Sequence, residues 1–220
     1  MNCATELFTL PCEQRDFVEW RKGRSEFAVW AIDLDLPDLV ALSAQYRNHL
    51  QHFLLADYVR QPHITVQIAG FPSVTANLAD DFTPQQMQVQ IARLMAIKQA
   101  PFTIEVAGVD SFTSAAYFTV NDSSGGIARV RQALACAGDD DFPYTPHVTI
   151  GLYRSVFSKA KVMRDLSAGP TFPPLQLTIS KISLLTYQAA VIGGVLSPLI
   201  EFDLTKQQLV TVNRQNQPKN

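Results

Sequence analysis

The phrase QPHITVQIAG, starting at Gln61, is echoed by YTPHVTIGLY, starting at Tyr144. Each runs proline, histidine, β-branched residue, threonine, β-branched residue. The chain has only 4 histidines, and two of them stand in these phrases. Successive side chains of a strand point to opposite faces, so residues i and i+2 share one. His63, Thr65 and Gln67 are expected to line one face of the first strand, with Ile64, Val66 and Ile68 buried against helices on the other. In the second, His147, Thr149 and Gly151 share the polar face and Val148, Ile150 and Leu152 the buried one. Pro62 and Pro146 set the entry to each strand, where they donate no ladder bond. A single His-x-Thr says little, because threonine is common in strands. Two copies at matching offsets require a fold that holds two such strands in like surroundings.

The flanking pattern repeats as well. Residues 27–35 read as a strand, and a helix follows from Pro37 with Leu39, Leu42, Tyr46 and Leu50 at helical spacing. After the first His-x-Thr strand, Thr83 is placed to cap a helix with Pro84 in its first turn, and Met87, Ile91 and Leu94 form its stripe. A strand over 101–112 follows. The second round is a strand over 115–122, a helix over 123–138, the His147 strand, a short helix over 158–166 and a strand over 173–187. This is one unit written twice, over about 27–109 and 117–187, within a single bilobal domain of residues 25–205. Two such units would pair about a pseudo-twofold axis with their His-x-Thr strands face to face. Residues 1–24 are expected to be an N-terminal extension, and 206–220 a polar tail that frays.

Composition narrows the partners. The chain has 220 residues, 47% of them hydrophobic, which suffices for a sizeable core. No run approaches the ~20 apolar residues of a membrane helix, and the N-terminus lacks the pattern of a signal peptide. A cytoplasmic monomer is expected. The net charge of −2 argues against long nucleic acid as ligand, since such binding is driven by a basic surface. A small phosphorylated ligand, or only the end of an RNA, needs no more than a few local donors. Cys3, Cys12 and Cys136 show neither paired nor metal-ligating spacing and read as free thiols, so neither metal nor cofactor is expected.

Two imidazoles and two hydroxyls around one cleft suit displacement at phosphorus. A neutral imidazole removes a proton from the attacking oxygen, and an imidazolium protonates the leaving oxygen, each contributing about 10²–10⁴-fold. The Thr65 and Thr149 hydroxyls can donate to non-bridging phosphate oxygens. The residues alone do not say which histidine does which. The same set could also serve a non-catalytic nucleotide-binding module.

At His63-Ile64-Thr65-Val66 and His147-Val148-Thr149-Ile150 the chain resembles the two-histidine (2H) phosphoesterase superfamily, in particular its branch named for RNA 2′,3′-cyclic phosphodiesterase and 2′–5′ RNA ligase. The strands FAVWAIDLD, PFTIEVAGVDSF and ISKISLLTY extend the resemblance over about 27–204. It implies an α+β fold of two pseudo-symmetric lobes, with two antiparallel sheets around a central cleft and helices outside. It implies metal-free opening of a cyclic phosphodiester, with His63 as acid, His147 as base and a 2′-phosphate product, and RNA ligation as a lesser activity. Some relatives carry an arginine soon after the second motif. Here Arg154 stands seven positions after His147 and by strand parity faces away.

Other residues near the motifs could contact a ligand. Gln67 continues the first polar face. Phe71 and Tyr153, with Tyr58 and Tyr144, flank the motif strands and could stack on a base. Arg60 and Arg154 could lend positive charge at the cleft mouth. His49 and His52 are explained by a helix C-terminus. The glycines of DSSGGIARV lack the P-loop lysine, and the acidic run from Gly138 reads as a solvated turn.

Overall fold

Two sheets divide the strands in an order that cuts across the repeats. The computed structural model describes residues 7–135 and 143–211. Strands β1 (Glu26–Asp33), β2 (His63–Pro72), β3 (Asp81–Phe82), β8 (Lys181–Gln188), β9 (Ser197–Asp203) and β10 (Gln208–Thr211) form one sheet in the order β10-β9-β8-β1-β2-β3. Strands β4 (Phe102–Ser111), β5 (Ala115–Asn121), β6 (His147–Leu152) and β7 (Leu175–Ile179) form the other, ordered β6-β5-β4-β7. All pairings are antiparallel except β2 with β3.

Each unit therefore gives its last strand away. The first unit sends β4 into the second sheet, and the second sends β8 into the first. The single strand expected over 173–187 is two strands, broken at Ser180, because its halves belong to different sheets. Helices cross in the same way. Helix α2 (Pro37–His49), between β1 and β2, packs Tyr46 edge-on against Phe118 of β5, with ring centroids 5.2 Å apart. Helix α4 (Gly126–Leu134) lies against β2, and α5 (Lys159–Ser167) against β4. Helix α3 (Pro84–Ala96) sends Gln90 to the Trp30 indole at 2.7 Å.

Local signals set the helix starts. Thr83 and Gln86 form a reciprocal capping box at α3. Asp122 accepts from the Gly126 and Ile127 amides at 2.9 and 2.8 Å, which starts α4 three residues later than expected. Its expected end, with Cys136 and the acidic run, lies outside the described residues, as does Cys3.

Both ends of the described chain depart from expectation. The segment from Leu7 hydrogen-bonds the second lobe through Thr9 to Phe157, Leu10 to Thr113 and Cys12 to Tyr153. It then crosses to the first sheet as α1 (Val18–Arg21), where Trp20 packs on Phe27 and Phe71 at 5.0 and 4.8 Å. Backbone bonds to the second lobe and the Trp20 ring on the first sheet make the supposed extension part of the domain. The tail expected to fray from 206 instead supplies β10, paired to β9 over Gln208–Thr211. Among the described residues no helix is long and apolar enough to cross a membrane.

Candidate active site

The two motifs carry the same backbone irregularity. In β2, Thr65 pairs with Ala31 and Gln67 with Trp30, leaving Val66 without a partner. In β6, Thr149 pairs with Tyr117 and Gly151 with Ala116, leaving Ile150 without one. Each His-x-Thr is thus followed at once by a β-bulge, which adds one residue and reverses the face of those after it. The histidine and threonine before the bulge stay on the cleft face.

The bulge corrects three expectations. Gln67 does not continue the polar face. It is 2% exposed and its Oε1 accepts from Arg131 of α4 at 2.9 Å. Ile68, expected in the core, is 60% exposed. Gly151 turns from the cleft toward Leu54, whose Cδ1 would lie 2.8 Å from an added Cβ. Two aromatic candidates also fail as ligand contacts, because both are fully buried. Phe71 is enclosed by Trp20, Phe27 and the Arg24 guanidinium. Tyr153 shares a 2.7 Å hydrogen bond with Ser111. Arg154 faces away, donating to the His52 carbonyl.

Each catalytic candidate is held in one tautomer. His63 Nδ1 donates to the Gln61 carbonyl at 2.8 Å, and His147 Nδ1 to the Thr145 carbonyl at 2.8 Å. A carbonyl only accepts, so Nδ1 keeps its proton in both charge states and Nε2 is the atom that gains and loses one. Burial pushes His63 down to about 4, with the positive charges of Arg60 and His147 adding to the effect. Burial also lowers His147, which is walled by Phe112 and Tyr117 at 4.8 and 5.4 Å. Thr65 and Thr149 are half-buried.

Two braces lock the motif strands together. Arg131 of α4 donates to the Val66 carbonyl at 2.7 Å, and Arg47 of α2 donates to the Ile150 carbonyl at 2.8 Å. Each arginine thus satisfies the residue that its bulge left unpaired. Each also lies over a tyrosine, Tyr144 for Arg131 and Tyr58 for Arg47. These tyrosines precede one motif and bond to the other. The Tyr144 hydroxyl donates to the Thr65 carbonyl at 2.9 Å, and Tyr58 is hydrogen-bonded to Thr149. The braces bring His63-Thr65 and His147-Thr149 together across the two sheets. Sequence reasoning offered Tyr58 and Tyr144 as rings on which a base could stack and missed Arg47 and Arg131. The only signal was an arginine at the far end of each corresponding helix.

Comparisons with known proteins bear on the family and the fold. A family model described as the 2'-5' RNA ligase superfamily matches residues 36–190. No curated protein matches the chain. Among solved structures, E. coli LigT complexed with 3'-AMP is 17% identical, with a TM-score of 0.56 over 82% of this chain and 99% of that one. LigT complexed with NADP+ is 18% identical, with a TM-score of 0.50 over 83% and 99%. TT0787 of Thermus thermophilus is 16% identical, with a TM-score of 0.53 over 81% and 98%. With a family match over most of its length, the LigT-like two-lobed fold and paired His-x-Thr strands, the chain belongs to the 2'-5' RNA ligase superfamily of 2H phosphoesterases.

Proposed function

We propose that the protein opens 2′,3′-cyclic phosphates on RNA ends or nucleotides by paired histidine acid–base catalysis, without a metal. The observation that carries this reading is the pair of imidazoles, each with Nδ1 tied to a backbone carbonyl and Nε2 left to exchange a proton. In the roles the resemblance implies, His147 Nε2 takes a proton from water as its oxygen attacks phosphorus. The P–O3′ bond breaks, His63 Nε2–H protonates O3′, and a 2′-phosphate remains. Solvent then exchanges protons with both rings. The Thr65 and Thr149 hydroxyls donate to the non-bridging oxygens.

Burial makes the His63 proton costly in the empty site. A bound phosphate anion offsets that cost, so the acid forms when substrate arrives. The LigT complexes with 3'-AMP and NADP+ describe that protein; they support a nucleotide-sized ligand in the corresponding cleft here.

The test is hydrolysis of the four nucleoside 2′,3′-cyclic monophosphates and a short RNA with a cyclic end, in EDTA. His63→Ala and His147→Ala should each lower kcat by about 10²-fold or more. Loss of wild-type activity in EDTA would exclude the metal-free route. Saturable nucleotide binding with no turnover would instead mark a binding module.

A further inference from the structure

The segment before β1 reaches the candidate active site as well as the two lobes. Leu152 ends β6, five residues past His147 and three past Thr149. It pairs with Ala115, two residues before Tyr117, and Tyr117 pairs with Thr149. The bulge at Ile150 therefore returns Leu152 to the face of His147 and Thr149. Three residues of strand span at most about 10 Å, so Leu152 lies a short way along the cleft from the Thr149 hydroxyl. A cavity of about 410 Å³ opens against Leu152, walled by Cys12 and Phe17 of the N-terminal segment and by Ile192 of the β8–β9 loop. The Cys12 amide donates to the Tyr153 carbonyl at 2.7 Å, which fixes that wall to the end of β6. The loop is tied to Thr149 in turn. The Val59 amide donates to the Gly193 carbonyl at 3.1 Å, and the adjacent Tyr58 is hydrogen-bonded to Thr149. Cys12, Phe17 and Ile192 all lie outside residues 36–190, which the family model matches. This wall is built from sequence beyond the shared core.

The charges on the wall are already matched. Glu13 and Arg15 also line the cavity. Arg15 donates to Glu13 at 2.7 Å and to Glu19 at 2.6 Å, and its guanidinium lies over the Phe17 ring, 3.9 Å from the centroid. Two carboxylates on one guanidinium leave no excess positive charge, so an anion is not favoured here. The remaining wall is a thiol, a phenyl ring and two aliphatic side chains. Such a lining suits an uncharged, largely apolar group whose orientation is fixed by polar groups elsewhere. In a nucleoside cyclic phosphate held at the histidine pair, that group is the base, whose flat faces pack on aromatic and apolar side chains.

Resting on the cyclic phosphodiesterase reading, we propose that the cavity between the N-terminal segment, Leu152 and Ile192 is the subsite for the base of the nucleoside that carries the cyclic phosphate, so that the N-terminal segment helps to select the substrate.

Two measurements test it. The first compares kcat/KM for the nucleoside 2′,3′-cyclic monophosphates and for the base-free methyl riboside 2′,3′-cyclic phosphate, in the wild type and in Ile192→Trp, which fills the cavity. The wild type should prefer the base-bearing substrates by about 10–100-fold, the range expected for burying an apolar ring. Ile192→Trp should bring that ratio toward one. A wild type without preference, or an Ile192→Trp loss equal on both substrate types, overturns the subsite. The second measurement needs neither turnover nor a variant. Iodoacetamide alkylation of Cys12 in the wild type is followed by peptide mass spectrometry at alkaline pH, because burial raises the thiol pKa. A nucleoside 2′-phosphate at about ten times its Kd should slow alkylation by about tenfold, and methyl riboside 2′-phosphate should not. Equal rates with and without the nucleotide, or equal protection by the base-free phosphate, overturn the subsite. If the wild type hydrolyses none of the substrates, the hydrolase reading fails. Protection of Cys12 by the nucleotide alone would still place the base in the cavity, and its absence would sink the proposal.

Discussion

At the residue scale, the histidines decide how the protein responds to pH. His63 lies at about 4 when folded, against about 6.5 for a free imidazole. The unfolded chain therefore binds the proton more tightly. His63 contributes about 3 kcal/mol of stability above pH 6.5, lost as pH falls through 4. His63→Gln, which cannot titrate, should flatten that decline in urea melts between pH 6.5 and 4; an unchanged slope would refute the assignment. The rate has a matching signature. The productive free enzyme has one imidazole protonated and one neutral, and both are depressed by burial. A profile of kcat/KM should peak below about pH 6.5 and fall on the alkaline side. The alkaline limb of kcat should lie at higher pH, because the bound phosphate anion stabilises the imidazolium. An optimum near pH 9 would exclude this pair as the acid and base.

At the element scale, the bulge after each His-x-Thr is the unit of construction. A regular strand would have aimed Gln67 and Gly151 into the cleft; the extra residue turns Gln67 to α4 and Gly151 to Leu54 instead. Arg131 and Arg47 then bond the carbonyls that the bulges release. Arg131→Ala should lower kcat by about tenfold with little change in KM, since it loosens the strand bearing His63 without touching ligand. Arg131→Lys should recover part of it. An effect confined to melting temperature would reduce the arginine to a structural role. Gly151→Val should cost more stability than Gly151→Ala in denaturant titrations, because the larger branch drives further into Leu54.

At the scale of the whole molecule, the segment before β1 ties the lobes together. It is bonded to the second lobe through Thr9, Leu10 and Cys12, and it ends with Trp20 packed on the first sheet. Trp20→Ala should cost about 2 kcal/mol in chemical denaturation, below the value for a fully buried tryptophan because the ring stays partly exposed. The chain by itself determined the repeated His-x-Thr phrase, the helix starts at Pro37 and Thr83, and the shared strand face of His63 with Thr65 and of His147 with Thr149. All of these follow from period-2 and period-3.6 patterns and from capping chemistry within a few residues. Only the tertiary structure decided that Ser180 separates strands of two sheets, that a bulge turns Gln67 away, that Tyr58 and Tyr144 cross to the opposite motif, and that Phe71 and Tyr153 are sealed. Those outcomes depend on contacts between residues tens of positions apart. Strand parity shows alternation along one strand, but not where a neighbouring strand shifts register or which distant side chain closes over it.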